Sequence, residues 1–178
     1  MKKIAFDDLP QYTPWVSRIL NGEEQHKKTP SEVQREYNAE KWHSVQQYLD
    51  AHPSCSLAEL NATLMPDRAV AGLAENKQYV LQLPKEYYQQ QIAQYCAVLE
   101  KYLEPGDTIT ELGAGYGAVI LQLAKTWGSQ YKYRAGEYTD NGLQAMRKLA
   151  LNEGIALKSG KCDFFTCNMD DALYAGGG

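Results

Sequence analysis

Three short stretches of the chain place acids and glycines where a charged, hydroxyl-rich ligand could be held. The first is Glu111-Leu112-Gly113-Ala114-Gly115-Tyr116-Gly117, an acid ahead of three alternating glycines. Glycines let the backbone turn sharply and let a ligand press against the main chain, because no Cβ stands in the way. The second is Glu137, a carboxylate whose two oxygens can accept both hydroxyls of a ribose. The third is Asp163, which could accept from an adenine amino group. Singly, each has an ordinary job as a tight turn or a solvated acid. Together and in this order they describe a pocket for a nucleoside-containing cofactor.

The elements that must position them follow from periodicity. Thr108 to Leu112 is a short β-branched run suited to a buried strand. A helix fits Ala118 to Trp127, with Val119, Ile120, Leu123 and Ala124 facing a sheet. Tyr131 to Tyr138 is the second strand. A helix carrying Leu143, Met146, Leu149 and Ala150 follows, closed by Gly154. Ile155 to Phe164 is the third strand. The order β-α-β-α-β predicts an α/β fold, a Rossmann-like half-sheet in which Glu111, Glu137 and Asp163 stand at strand ends, where such sheets bind ligands.

Two cofactor classes fit the glycines. Gly113-Ala114-Gly115-Tyr116-Gly117-Ala118 satisfies G-x-G-x-x-A, and Glu137 lies near the distance expected of a dinucleotide's ribose acid. An NAD(P)-dependent oxidoreductase is therefore one reading. Glu111 favours the other. An acid two residues before the first glycine repels a pyrophosphate but attracts the ammonium and sulfonium of a methyl donor.

Glu111-Leu-Gly-Ala-Gly-Tyr-Gly117 resembles motif I of the class I S-adenosylmethionine-dependent methyltransferases. Gly136-Glu-Tyr-Thr-Asp-Asn-Gly142 resembles their second motif and Gly160-Lys-Cys-Asp-Phe164 their third. The resemblance covers about residues 84–165. It implies S-adenosylmethionine as cofactor, with Glu111 and the loop Gly113, Ala114, Gly115, Tyr116 and Gly117 around the methionine portion. Glu137 would hold the ribose and Asp163 would lie at the adenine, with Tyr138 and Phe164 among the cofactor contacts. It also implies that Tyr87 or Tyr88 closes over the cofactor, with core packing the alternative job of Tyr88.

Residues 1–104 read as helices and loops. Thr29-Pro30-Ser31-Glu32 starts a helix, continued by Val33, Tyr37, Val45, Tyr48 and Leu49 and ended at His52-Pro53. Ser56 and Glu59 have capping-box spacing. A further helix runs from about Pro84 to Leu103 with the stripe Tyr88, Ile92, Tyr95, Cys96, Leu99 and Leu103. Two parts result: a mainly helical region 1–83, in position to serve as a substrate lid, and a cofactor-binding core, 84–178.

The core departs from the family's pattern. That family's sheet has seven strands, but only 15 residues follow Asp163, and each further βα unit takes about 30. Met169 to Tyr174 is too acidic and too short for a central strand, and 176–178, all glycine, read as a frayed end. The expectation is a core truncated after its third strand, whose first strand presents an unpaired edge open to self-association. The region that would carry a catalytic base is mostly missing from this pattern, so the base is not assigned.

Bulk properties narrow the rest. Net charge is −4, and the lone basic cluster, His26-Lys27-Lys28, reads as a solvated loop, which disfavours nucleic acid as the main partner. Cys55, Cys96, Cys162 and Cys167 form no CxxC pair, so no metal site is expected. No apolar run is long enough to span a membrane, and the start at Met1 lacks a secretory pattern; a cytoplasmic location is the default. The acceptor expected is a small molecule of sugar or natural-product type. The third reading is a non-catalytic cofactor-binding module that works only in an assembly.

Overall fold

The computed structural model describes residues 2–13, 21, 28–73, 78–170 and 173. The expectations placed on Met1, on His26-Lys27 and on 176–178 lie outside them, as does most of the stretch after Asp170. In chain order the elements are β1 (Lys2–Lys3), α1 (Pro30–Val33), α2 (His43–Ala51), α3 (Leu57–Leu64), β2 (Val70–Leu73), β3 (Tyr79–Gln82), α4 (Pro84–Leu99), β4 (Thr108–Leu112), α5 (Ala118–Trp127), β5 (Lys132–Glu137), α6 (Asp140–Asn152), β6 (Leu157–Asp163) and β7 (Asn168–Met169). A π-helical segment, Gln34–Trp42, joins α1 to α2.

Two compact units divide the chain: residues 1–27 with 61–94, and residues 28–60 with 95–178. Neither follows a single cut between 83 and 84, because the segment 28–60 belongs with the α/β core. In the first unit, β1, β3 and β2 form an antiparallel sheet in that order. The reading of residues 1–104 as helices and loops missed it. Strands of two to four residues are too short to print a clear alternation of apolar and polar positions. Val80 and Gln82 are buried, and a Cβ on Gly72 would stand 3.3 Å from the Tyr87 ring. Tyr87 thus packs inside this unit.

The expected helix over 84–103 ends at Leu99, and its stripe is shallow. Ile92 is its one buried member, whereas Tyr95 is 43% exposed. Polar residues between the stripe positions leave it a narrow apolar face.

In the second unit β4, β5 and β6 run parallel in that spatial order, and β7 returns antiparallel on β6. This is the Rossmann-like β-α-β-α-β arrangement. Pairing sets Glu111 opposite Ala135, and Ala135 opposite Ser159. Side chains alternate across a strand, so these three share a face with Ile109, Tyr133 and Glu137. The helices cover that face. Ile120 N in α5 donates to the Glu111 carboxylate, and Arg147 in α6 donates to Ser159 Oγ. Ile120, Leu121, Leu123 and Ala124 of α5 are buried; Leu121 takes the inward place expected of Val119. Leu143, Met146, Leu149 and Ala150 of α6 are all buried, as their spacing requires.

Helix α1 opens with the expected capping box. Glu32 N donates to Thr29 Oγ1, and Thr29 N donates to the Glu32 carboxylate. Ser56 and Glu59 pair in the same reciprocal way. Helix α2 packs on α6, with Lys148 and Asp50 joined at 2.8 Å.

Strand β4 differs from its expectation as a buried strand. Only Ile109 is buried, and Leu112 is 45% exposed. Among the described residues β4 pairs with β5 alone, so its outer edge and its helix-free face have no covering element there.

Candidate functional site

The glycine loop leaves β4 at Leu112 and enters α5 at Ala118. Gly113, Gly115 and Gly117 take φ values of +75°, +57° and +83°, a left-handed conformation that side chains with a Cβ adopt at a cost of about 1–2 kcal/mol. The alternation in sequence is therefore an alternation of backbone hand. Gly113 N and Ala114 N both donate to Gly136 O, at 2.8 and 3.0 Å, and Gly117 N donates to Ala114 O at 2.8 Å. These bonds clasp the loop to the next strand. Gly117 has a second constraint: an added Cβ would lie 2.7 Å from Met146 Cγ.

Glu137 ends β5 beneath this loop and is 5% exposed. Its Oε2 accepts from Gly115 N at 2.8 Å. Its Oε1 accepts from Thr139 N at 2.9 Å and from the Thr139 hydroxyl at 2.6 Å. A carboxylate offers about four lone-pair sites, so three protein donors leave capacity for one more. The ribose acid of the sequence reading is also the post that fixes the loop.

Glu111 lies on the same face of the sheet. It accepts from Ile120 N at 2.9 Å, capping the first turn of α5. Burial raises its carboxyl to about 7; the Ile120 N–H acts in the opposite direction, and the neighbouring Glu137 adds to the rise. Near neutral pH this acid is poised between its two forms. A cation brought beside it would draw it into the charged one. Tyr116 is raised to about 12 by burial and packs edge-on against Trp42 at 5.6 Å.

The remaining predicted residues are distributed unequally. Phe164 comes to the loop, its ring 3.4 Å from the place a Gly113 Cβ would take, although it is 53% exposed. Tyr138 stacks edge-on against Phe165 at 5.6 Å, and its carbonyl accepts from Lys161 Nζ. Asp163 serves the turn between β6 and β7. Its Oδ1 accepts from Phe165 N at 2.8 Å, its Oδ2 from the Thr166 hydroxyl at 2.8 Å. That hydroxyl holds the Asp163 carboxyl below its ordinary range. The structure thus gathers Glu111, the loop, Glu137 and Phe164, and gives Asp163 to a local turn.

Residues beyond the sequence reading complete the site. Thr139 is 1% exposed, and its hydroxyl is spent on Glu137 rather than on capping α6. Asn38, from the π-helical segment, takes over that duty. Its Oδ1 accepts from Asn141 N at 2.9 Å, and Asn141 Nδ2 donates to Asn38 O at 2.8 Å. Trp42, from the same segment, lies on Gly115 and Gly142: added Cβ atoms there would stand 2.8 and 3.1 Å from the indole. Trp42 stands three and seven residues before buried Val45 and Leu49, on their α-helical face, but five residues after Tyr37. The i→i+5 winding of Gln34–Trp42 spans that break in phase.

A groove of about 790 Å³ lies elsewhere, at the N-terminal ends of β5 and β6, where Lys125, Tyr133, Arg134 and Lys158 line it. Ligands of open α/β sheets bind at the opposite ends. Among the described residues no cluster of three or more His, Cys, Asp or Glu side chains could hold a metal ion, and no helix is long and apolar enough to cross a membrane.

No family model matches the chain, and no curated protein does. Solved structures do match. One is coclaurine N-methyltransferase bound to N-methylheliamine and SAH, at 14% identity and a TM-score of 0.46, over 90% of this chain and 45% of that one. Another is a protein-L-isoaspartate O-methyltransferase, at 12% identity and a TM-score of 0.38, over 68% and 42%. The chain spans less than half the length of either. The Rossmann-like assignment stands on strand order, parallel register and helix placement.

Proposed function

We propose that this chain binds S-adenosylmethionine and forms the cofactor-holding part of a methyltransferase acting on a small-molecule acceptor of sugar or natural-product type. The observation that carries this reading is the state of the loop amides. Gly113 N, Ala114 N, Gly115 N and Gly117 N donate to protein acceptors, and Ile120 N donates to Glu111. A pyrophosphate is held by just such amides together with a helix N-terminus. Here they are committed, and a carboxylate occupies the start of α5. What the loop offers instead is a glycine surface flanked by Glu111 and Glu137, suited to a ligand with a cationic end and a ribose.

S-adenosylmethionine, when bound, supplies an electrophilic methyl group on a sulfonium. The chain's own part is binding and orientation. Glu111 would attract the amino-acid end by its charge, and the glycines would let that end lie on the main chain. Glu137, rigid and with one acceptor site left, would take a ribose hydroxyl. Tyr138 and Phe164 would flank the ribose and adenine. Asp163 reaches an adenine only if the turn at Phe165 and Thr166 releases one of its oxygens. Much of the rate in such a displacement comes from holding donor and acceptor in line. No side chain of this site is placed in the role of general base; Glu111 and Glu137 are cofactor contacts.

Calorimetric titration with S-adenosylmethionine, S-adenosylhomocysteine and NAD tests the reading. Saturable binding of the first two, weakened about tenfold or more in Glu111→Gln and in Glu137→Gln, is the expected result. NAD binding alone would move the protein to the oxidoreductases. A folded chain that binds none of the three would overturn the cofactor reading.

A further inference from the structure

The residue lying on the glycine loop is an aromatic ring of the chain itself. Trp42 is 8% exposed and is the one buried residue of the nine in Gln34–Trp42. Its benzo edge takes the space a Gly115 Cβ would need and its pyrrole edge the space a Gly142 Cβ would need, and a Gly142 Cβ would also lie 3.0 Å from Glu137 Cγ. The ring therefore sits between the loop and the start of α6, beside the ribose acid. Glu137, at 5% exposure, accepts from the N–H of that same Gly115. The volume a ligand would need in order to press on Gly115 is the volume the indole fills.

The segment that carries this ring lies along α6 with Trp42 as its buried residue. The remaining eight residues of the π-helical stretch are half-buried or exposed, and the Asn38–Asn141 pair ties it to α6 with two hydrogen bonds. Lys41 Nζ stands 4.5 Å over the Trp42 ring, a contact it can keep in water. A segment most of whose residues reach solvent opens more readily than the buried core. Extended π winding is rare and recurs at functional sites.

We propose that the segment Gln34–Trp42 is an autoinhibitory latch: Trp42 occupies the ligand place on Gly115, next to Glu137, and a cofactor enters only when the ring swings off. This rests on the reading of the loop and Glu137 as an S-adenosylmethionine site. A latch of this kind lowers apparent affinity by the fraction of molecules that are open. Removing the ring should restore it.

The test measures S-adenosylhomocysteine affinity by calorimetry in the unmodified chain, in Trp42→Ala, and in Asn38→Cys/Asn141→Cys with exposed Cys167 replaced by Ser. Trp42→Ala is expected to bind at least tenfold tighter, which places the open fraction at about a tenth or below. The oxidised double-cysteine variant should bind at least tenfold more weakly than its reduced form. Equal or weaker binding by a folded Trp42→Ala would make the ring a wall of the pocket and overturn the latch, leaving the cofactor reading intact. If Trp42→Ala does not fold, the cysteine pair decides, and equal affinity in both redox states overturns the proposal. Absence of binding in every variant, the reduced one included, would remove the cofactor reading and the latch with it.

Discussion

The two faces of the parallel sheet are built to different standards. On the helix-covered face, Ile109, Tyr133, Ala135 and Glu137 are buried, under α5 and α6. On the opposite face, Thr108, Thr110 and Leu112 of β4 and Lys132 and Lys158 of its neighbours are exposed. There only Arg134, Gly136, Gly160 and Cys162 are covered. Leu173 does part of that work: its carbonyl accepts from Arg134, and its side chain touches the Gly136 position. The difference separates what holds the site from what borders it. Both acids, Glu111 and Glu137, stand on the packed face, and the loop is pinned there. Stability and site geometry therefore reside in one half of the sheet.

The largest test of that asymmetry is a core truncation on the packed face. Leu149 is fully buried on α6, and Leu149→Ala should cost about 4 kcal/mol through lost transfer energy and the cavity left behind. Urea denaturation followed by circular dichroism measures it. A loss below about 1 kcal/mol would mean that α6 is loosely seated.

Next comes the acid kept on that face. The ordinary Glu111 value of 4.5 is raised to about 7. Between these values an unfolded chain has released this proton while the folded chain keeps it, so stability falls as pH rises through that window. Glu111→Gln retains an acceptor for Ile120 N and cannot ionise. At pH 8 it should be more stable than the unmodified chain by roughly 2–3 kcal/mol, and at pH 4 about equal to it. On the proposed function, cofactor affinity rises with pH through about 7 in the unmodified chain and is flat in the variant. Thermal melts and titrations at pH 5, 6, 7 and 8 read both effects.

A smaller effect separates tight glycines from open ones. Gly117 and Gly154 both have positive φ, but a Cβ meets Met146 at the first and nothing within 4 Å at the second. Gly117→Ala should cost about 2–3 kcal/mol and Gly154→Ala about 1 kcal/mol. Equal losses would show that conformation alone, and not the contact with α6, restricts Gly117.

How much of this was readable from the residues depends on which interactions are local. Strand β4 and helices α5 and α6 follow from period and turn chemistry, and their observed bounds fall within a few residues of expectation. The convergence of Glu111, Gly113–Gly117 and Glu137 was likewise legible, because topology brings strand ends together. Trp42 and Asn38 were not. Trp42 shares an α-helical face with Val45 and Leu49, but its partners Gly115 and Gly142, and Asn141 for Asn38, lie in the second half of the chain, where no local spacing announces them. Asp163 was legible as a strand-end acid, but its engagement with Thr166 depends on a hairpin formed by a two-residue strand. The short β1–β3 sheet lay below the length at which alternation becomes visible. Burial of β4 was expected from its composition alone; the actual exposure of Leu112 depends on what covers the far face.

That residue gives the smallest stability change and closes the comparison. Leu112→Lys puts a charge on the open face beside the edge of β4 that no described strand pairs. If this face is free in solution, the cost of folding should stay within about 0.5 kcal/mol, as for an ordinary surface substitution. The same change should suppress self-association, since a charge on an exposed edge opposes strand-to-strand pairing. Sedimentation velocity over a range of concentrations reads association, and denaturation reads stability. A monomeric chain unaffected by the substitution would remove the edge as a self-association site. A dimer dispersed by it would mean that a second copy covers the face left bare in one chain, and a loss above about 2 kcal/mol with no change in association would mean that the chain itself covers Leu112.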